Sequence, residues 1–338
     1  MDRQLDDLRL SDPRTTPMRA IPPALLERLR CPACGAAIGG GEPLACAAGH
    51  ELARREGYLD ASGTLPVDRQ TGRTFASFGY EWTSFDRVQP EDEAFFAQYF
   101  ADVHVEELAG RVGLDAGCGK GRFTRLMAPY LHGIVALDGS RAVVAAVRNL
   151  QDCENAVVLR ADLRAAPLAA ESFDFISCLG VLHHLADPRA GFDSLVRLLA
   201  PGGMLLVYLY SRPDPGTVRA LALGSSAALR KLTVHLPHRV TRALAAPIAA
   251  ALYATVVLPG HLGAKAGIRR LDGLPLVTYR GRPGRSLWLD TFDRLSAPIE
   301  KRYVWDEVRP WYEGSGLAVE AVSERGGLVI LARRPPTG

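Results

Sequence analysis

Residues 113–123 read Gly-Leu-Asp-Ala-Gly-Cys-Gly-Lys-Gly-Arg-Phe, a glycine-rich turn behind a short apolar run. Glycine has no Cβ and tolerates unusual dihedrals, so such a turn lets the backbone pass close under a nucleotide. Two phosphate-binding patterns can be tested on the letters. A phosphate loop needs a hydroxyl residue after its lysine, but Gly121 follows Lys120. A dinucleotide fingerprint G-x-G-x-x-G needs glycine where Arg122 stands. Asp115, two residues before Gly117, would repel phosphate and suits a ligand with a cationic amino group.

Further acids follow at the ends of apolar runs. Ile134-Val-Ala-Leu-Asp138-Gly139-Ser140 closes a second strand with a carboxylate placed to accept ribose hydroxyls. Leu159-Arg-Ala-Asp162-Leu163 closes a third, and Phe173-Asp-Phe-Ile-Ser-Cys-Leu179-Gly-Val-Leu-His183-His184-Leu185 gives a fourth strand and its loop. Leu199-Ala-Pro-Gly-Gly-Met204 turns into a fifth. In this order the elements resemble class I S-adenosylmethionine-dependent methyltransferases, whose first signature is D-x-G-x-G. The domain looks like the type-11 group, closely over residues 106–210 and loosely over 303–334.

The resemblance implies S-adenosylmethionine as cofactor. It would be held by Asp115, Gly117, Gly119, Asp138, Gly139, Ser140, Asp162, Leu163 and Leu179, with Asp162 or its neighbour at the adenine amino group. The connector Phe78-Gly-Tyr80-Glu-Trp82 is a candidate cover, its aromatic faces attractive to a sulfonium; packing of a helix on the sheet is the competing role for Tyr80 and Trp82. His183 and His184 stand where ligands bind in such sheets and are candidates for a general base, needed only if the acceptor must lose a proton. A His-His pair in this loop is also common in the resembled group whatever the acceptor.

A second group of chemistry-bearing residues lies at 31–50, Cys31-x2-Cys34, eleven residues, then Cys46-x3-His50. Three thiolates and one imidazole at this spacing make a tetrahedral zinc site, and four protein ligands leave no open position, so the zinc would be structural. The cluster resembles the N-terminal module of bacterial 23S rRNA guanine-N1 methyltransferases, down to a Glu56-Gly-Tyr-Leu59 segment. Two departures argue against carrying over the RNA substrate. The loop after the fourth strand reads Leu-Gly-Val-Leu-His-His rather than a proline-bearing one, and Glu42, Glu51, Glu56 and Asp60 offset Arg54 and Arg55.

The elements that must position these groups follow from the hydrophobic pattern. Apolar strand-like runs alternate with helical segments from about 106 to 210, which argues a parallel α/β sheet. A net charge of +3 over 338 residues does not advertise nucleic-acid binding. Residues 212–302 break the pattern, with fifteen Lys/Arg against five Asp/Glu, a net of +10. Two roles compete for this insert: a helical lid over the acceptor, or a basic face for a membrane surface or RNA. Its apolar run Ala243–Pro259 is short for a spanning helix and contains Pro247, so burial or an interfacial position is expected. No apolar signal segment opens the chain, and the cysteine usage fits a reducing compartment, so the expected location is cytoplasmic.

The expected architecture is a Rossmann-like seven-stranded α/β sheet with an N-terminal zinc ribbon and a helical cap insert. Its parts are a tail (1–20), the ribbon (21–62), connector helices (63–105), the cofactor-binding core (106–211), the cap (212–302) and closing elements (303–338). The expected activity is methylation of a small organic acceptor, lipophilic or anionic, of specialised metabolism. The alternatives are an RNA methyltransferase and a non-catalytic cofactor-binding partner of another enzyme.

Overall fold

In the computed structural model, the described residues are 19–63, 67–267, 276, 279–324 and 326–336. Most of the expected tail, residues 1–18, and part of the insert lie outside them. Nine strands form one sheet: β1 (Ala53–Arg54), β2 (Leu59–Asp60), β3 (Val112–Ala116), β4 (Gly133–Asp138), β5 (Ala156–Arg160), β6 (Phe173–Leu179), β7 (Leu199–Leu209), β8 (Ala318–Glu324) and β9 (Leu328–Arg333). Their order is β1-β2-β5-β4-β3-β6-β7-β9-β8. Strands β3 to β7 run parallel, and β9 returns antiparallel between β7 and β8. The seven strands from β5 to β8 are the sheet expected from the pattern. The order reverses at β3, so the glycine turn after β3 sits at the switch point where open α/β sheets bind ligands.

The apolar runs form central strands because helices cover both faces. All five residues of β3 are buried, as are the first five of β4. The helices are α1 (Pro23–Leu26), α2 (Arg69–Ser84), α3 (Pro90–Tyr99), α4 (Arg122–Met127), α5 (Val143–Asn149), α6 (Pro188–Leu198), α7 (Val218–Thr233), α8 (His238–Leu252), α9 (Leu258–Lys265), α10 (Gly284–Ser296) and α11 (Trp305–Glu313). A π-helical turn, Tyr253–Val257, joins α8 to α9.

The cysteine-bearing segment is not a separate body. β2 pairs parallel to β5, extending the sheet edge, and Leu25, Leu29, Leu44, Leu52 and Leu59 share the core under β4 and β5. The insert leaves and re-enters at one place: Ser211 bridges Tyr303, and the Arg212 N–H donates to the Tyr303 carbonyl at 2.9 Å. Within it, α10 packs against both α7 and α8. Of the two positions expected for Ala243–Pro259, full burial is not what the fold shows. Only 22% of the most apolar 18-residue window of 238–265 is buried, and the inward residues of the stretch are Thr241, Ala245, Ala249, Val257, Gly260 and Gly263.

Candidate active site

The site is built where the β3 turn, the β4 and β6 loops, α2 and the cap converge on a cavity of about 1240 Å³. Single-ligand pockets run from roughly 300 to 1,000 Å³, so this one has room for two molecules side by side.

The turn requires its glycines. Gly117 has φ +85° and Gly119 φ +54°. A Cβ on Gly117 would lie 2.2 Å from the Val181 side chain, and one on Gly119 3.0 Å from the Trp82 indole. Asp138 organises the turn from the neighbouring strand. Its carboxylate accepts from the Gly119 N–H at 2.9 Å, the Ser140 N–H at 2.8 Å and the Ser140 hydroxyl at 2.6 Å. Gly139 lies under Phe75, where a Cβ would meet the ring at 2.3 Å. Asp138, Gly139, Ser140, Asp162, Leu163, Leu179 and Trp82 all line the cavity with Gly117 and Gly119. Asp162 is braced by the Arg164 guanidinium at 2.7 Å.

Two candidates lie elsewhere. Asp115 is buried behind the turn and does not reach the cavity wall. Its oxygens accept from Thr124 at 2.6 Å and Ser177 at 3.0 Å, and burial raises its carboxyl to about 6 despite those two hydroxyls. It ties β3 to α4 and β6. Tyr80 points into the cap, packed on His238 and Phe292. Tyr80 and Trp82 sit two residues apart, about 200° around a helix, so they cannot share a face. The cavity-facing stripe of α2 is Phe75, Phe78, Trp82 and Phe85. That i, i+3, i+7, i+10 spacing was present in the sequence but was missed in favour of the Tyr-x-Trp pair.

Lys120 and Arg122 strap the connector over the turn. Lys120 is buried, donates to the Arg87 carbonyl at 2.7 Å and sits 3.4 Å from Asp92, which Arg122 also meets at 3.0 Å. Burial lowers the Lys120 ammonium to about 8, against the pull of Asp92.

The structure separates the two histidines. His184 lines the cavity, tilted against Phe78 with ring centroids 4.7 Å apart, and its Nδ1 lies 2.6 Å from the Ile299 carbonyl. A carbonyl only accepts, so Nδ1 carries the proton of that hydrogen bond and Nε2 is the ring nitrogen left to act as a base. His183 is fully buried beneath Tyr210, with ring centroids 4.0 Å apart, and is absent from the cavity wall. Burial, helped by the charges of His184 and Arg302, pushes its pKa well below the usual imidazole range, so it stays neutral.

Beside His184 lies a polar cluster that sequence reasoning missed. Tyr99, Tyr208, Tyr210, Glu81 and Asp293 line the cavity from α3, β7, α2 and α10. Tyr210 donates to Asp293 at 3.1 Å. Glu81 Oε2 and Asp293 Oδ1 are buried with no hydrogen-bond partner among the described residues. Burial, then the charges of Asp293 and Asp290, raises the Glu81 carboxyl well above its usual range. Unpartnered buried polar atoms in a cavity wall are what a polar ligand would satisfy.

At the far edge of the sheet, the ligand atoms of Cys31, Cys34, Cys46 and His50 lie within 4.8 Å of one another. The Cys34 and Cys46 sulfurs are 3.7 Å apart, and Cys46 Sγ is 3.6 Å from His50 Nδ1. A tetrahedron with metal–sulfur bonds of about 2.3 Å has edges of about 3.8 Å, so the spacing fits a zinc-sized ion.

A methyltransferase-domain family profile matches residues 114–207. A ubiquinone biosynthesis O-methyltransferase of Xanthomonas euvesicatoria pv. vesicatoria is 32% identical over 246 residues, covering 70% of this chain and 92% of that protein. An uncharacterised Synechococcus sp. protein is 34% identical over 116 residues, 32% of this chain but only 27% of its own length. The crystal structure of an S-adenosylmethionine-dependent methyltransferase from Aquifex aeolicus aligns with a TM-score of 0.45 at 15% identity, over 76% of this chain and 98% of that one.

Proposed function

The chain belongs to the S-adenosylmethionine-dependent methyltransferases, and we propose that it methylates an ionisable hydroxyl on a small, largely apolar acceptor held beneath the helical cap. The observation that carries this reading is His184: an imidazole with its Nδ1–H fixed on Ile299, on the wall of a cavity shared with the glycine turn. The match to O-methyltransferases of ubiquinone biosynthesis supports a hydroxyl acceptor.

When bound, S-adenosylmethionine supplies an electrophilic methyl on a sulfonium. On this reading Asp138 accepts the ribose hydroxyls with the acceptor capacity left beyond Gly119 and Ser140, and Asp162 and Leu163 flank the adenine. The backbone of Gly117 and Leu179 would hold the methionine end, and the Phe75–Phe78–Trp82 stripe would exclude water from the transfer path. The acceptor lies among Tyr99, Tyr208 and Tyr210, with Glu81 and Asp293 offering the hydrogen bonds they lack. His184 Nε2 takes the hydroxyl proton as the oxygen attacks in line. His183 is a packing residue under Tyr210.

The Cys31–Cys34–Cys46–His50 cluster would hold one structural zinc, with the four side chains filling its coordination. No observation favours an RNA acceptor, because Trp288, Phe292 and Tyr279 of the insert pack inward instead of offering stacking platforms.

His184→Gln tests the base. We expect kcat on a catechol-type acceptor to fall about 10²- to 10⁴-fold, with S-adenosylmethionine affinity unchanged. A variant that keeps wild-type kcat at all pH values would remove His184 from the chemistry.

A further inference from the structure

The cap carries exposed apolar residues that run from the cavity rim onto its outer surface. On α7, Val218, Leu221, Leu229 and Leu232 are exposed, Leu221 by 73% and Leu232 by 71%. They recur at helical spacing through Ser225 and so form one stripe. A second stripe runs without a break along α8, the π-turn and α9: Val240, Leu244, Pro247, Ala251, Thr255, Leu258 and Leu262, all exposed. Scattered exposed leucines need no explanation, but two stripes on helices that both pack on α10 do.

The charge on these helices has one sign. From Val218 to Lys265 there are six Lys/Arg and no Asp or Glu. Lys231 and Arg239 are exposed beside Leu232 and Val240. Apolar stripes flanked by cations alone are the pattern of helices that lie in the headgroup region of an anionic bilayer. The stretch His238–Lys265 is long and apolar enough to cross a membrane, with a mean hydropathy of 1.7. Crossing would break its inner face away from the molecule, since Ala245 packs with Phe85, Phe292 and Leu295, and Ala249 and Val257 with Tyr279 and Leu287. Lying on the surface keeps those contacts and buries the outer stripe.

The surface is continuous with the cavity. Val218 and Leu229 belong to the exposed stripe of α7 and also line the cavity, beside Ala222 and Leu223. We propose that the outer face of α7–α9 docks on an anionic lipid surface, so that the cavity mouth at α7 opens toward the bilayer and receives an acceptor dissolved in it. The route of the acceptor rests on the methyl-transfer reading; the docking does not.

Flotation of the full-length protein with phosphatidylcholine vesicles, with and without about one third phosphatidylglycerol, tests this. The protein should float with the anionic vesicles, stay behind with the neutral ones, and be released as salt is raised. Leu221→Glu/Leu232→Glu should abolish flotation. Lys231→Gln/Arg239→Gln should weaken it roughly thirtyfold. None of these four residues lines the cavity, so both variants should bind S-adenosylmethionine and methylate a water-soluble acceptor as the wild type does. That readout separates failure of docking from failure of the methyl-transfer reading. A folded, cofactor-binding wild type that ignores anionic vesicles at low salt would overturn the proposal. Flotation that survives the leucine substitutions would overturn it too, as would stripes covered by a second copy in a stable dimer.

Discussion

Asp138 has two jobs, and its neighbours show why one residue can do both. Its carboxylate already fixes the turn through Gly119 and Ser140, and on the proposed reading it also faces the ribose. Asp138→Ala should therefore weaken S-adenosylmethionine binding by about 30- to 100-fold by calorimetry, the scale of a lost hydrogen bond to a charged group; unchanged affinity would remove the ribose assignment. Asp115 gives a pH prediction of definite sign. Its carboxyl is raised by burial to about 6 from an ordinary 3.8, so ionising it costs the folded state more than the unfolded chain. The stability this confers is complete below the ordinary value and lost as pH rises through about 6. Asp115→Asn cannot titrate. Its stability relative to wild type should rise by about 2–3 kcal/mol between pH 4 and 7.5 in urea unfolding, whereas a constant difference would contradict the burial account. At this scale the sequence was legible wherever a spacing had a backbone reason, as at Gly117, Gly119 and Asp138. It was not legible for Asp115, whose partners Thr124 and Ser177 come together only when α4 and β6 pack.

The elements were read with uneven success, and the cause is burial. β3 to β7 are largely buried, so each shows as a mostly apolar run between turn residues. α2 is harder because it buries Thr71, Thr74, Ser77, Gly79 and Glu81, and Thr74 and Glu81 share the cavity wall with its aromatic stripe. An expectation of apolar-in, polar-out misreads a helix whose inner neighbour is a ligand. The cysteine-bearing segment was read as a ribbon, but its junction with the sheet through β2 and β5 was not, because a two-residue strand leaves no periodicity. That junction has a consequence. β5 leads directly to Asp162 on the cavity wall, so disorder in the cysteine segment would reach the proposed adenine end. We expect one zinc per chain by metal analysis. Its removal, or Cys46→Ser, should lower Tm by about 5 °C or more and weaken cofactor binding. Metal-free protein with an unchanged Tm would remove zinc from the account.

For the whole molecule, the charge distribution divides the labour. The insert holds a net +10, leaving the rest of the chain at −7, so attraction to anionic surfaces is confined to the cap. The cap also supplies Asp293 and the outer rim of the cavity, which places acceptor entry and surface contact on the same helices. The composition showed that the insert was basic. It could not show which face the leucines take, because alanine–leucine helices carry little contrast between faces until α10 packs against α7 and α8. The central claim is that the methyl group goes to a small apolar acceptor. The direct measurement uses S-adenosylmethionine labelled on its methyl, incubated with the full-length protein and host extract, then separated into RNA, protein and organic-extractable fractions. The account predicts label in the organic fraction, reduced about 10²-fold or more by His184→Gln. Label in RNA, with none in the organic fraction, would contradict it and make the cysteine segment and the basic cap the substrate-binding surface.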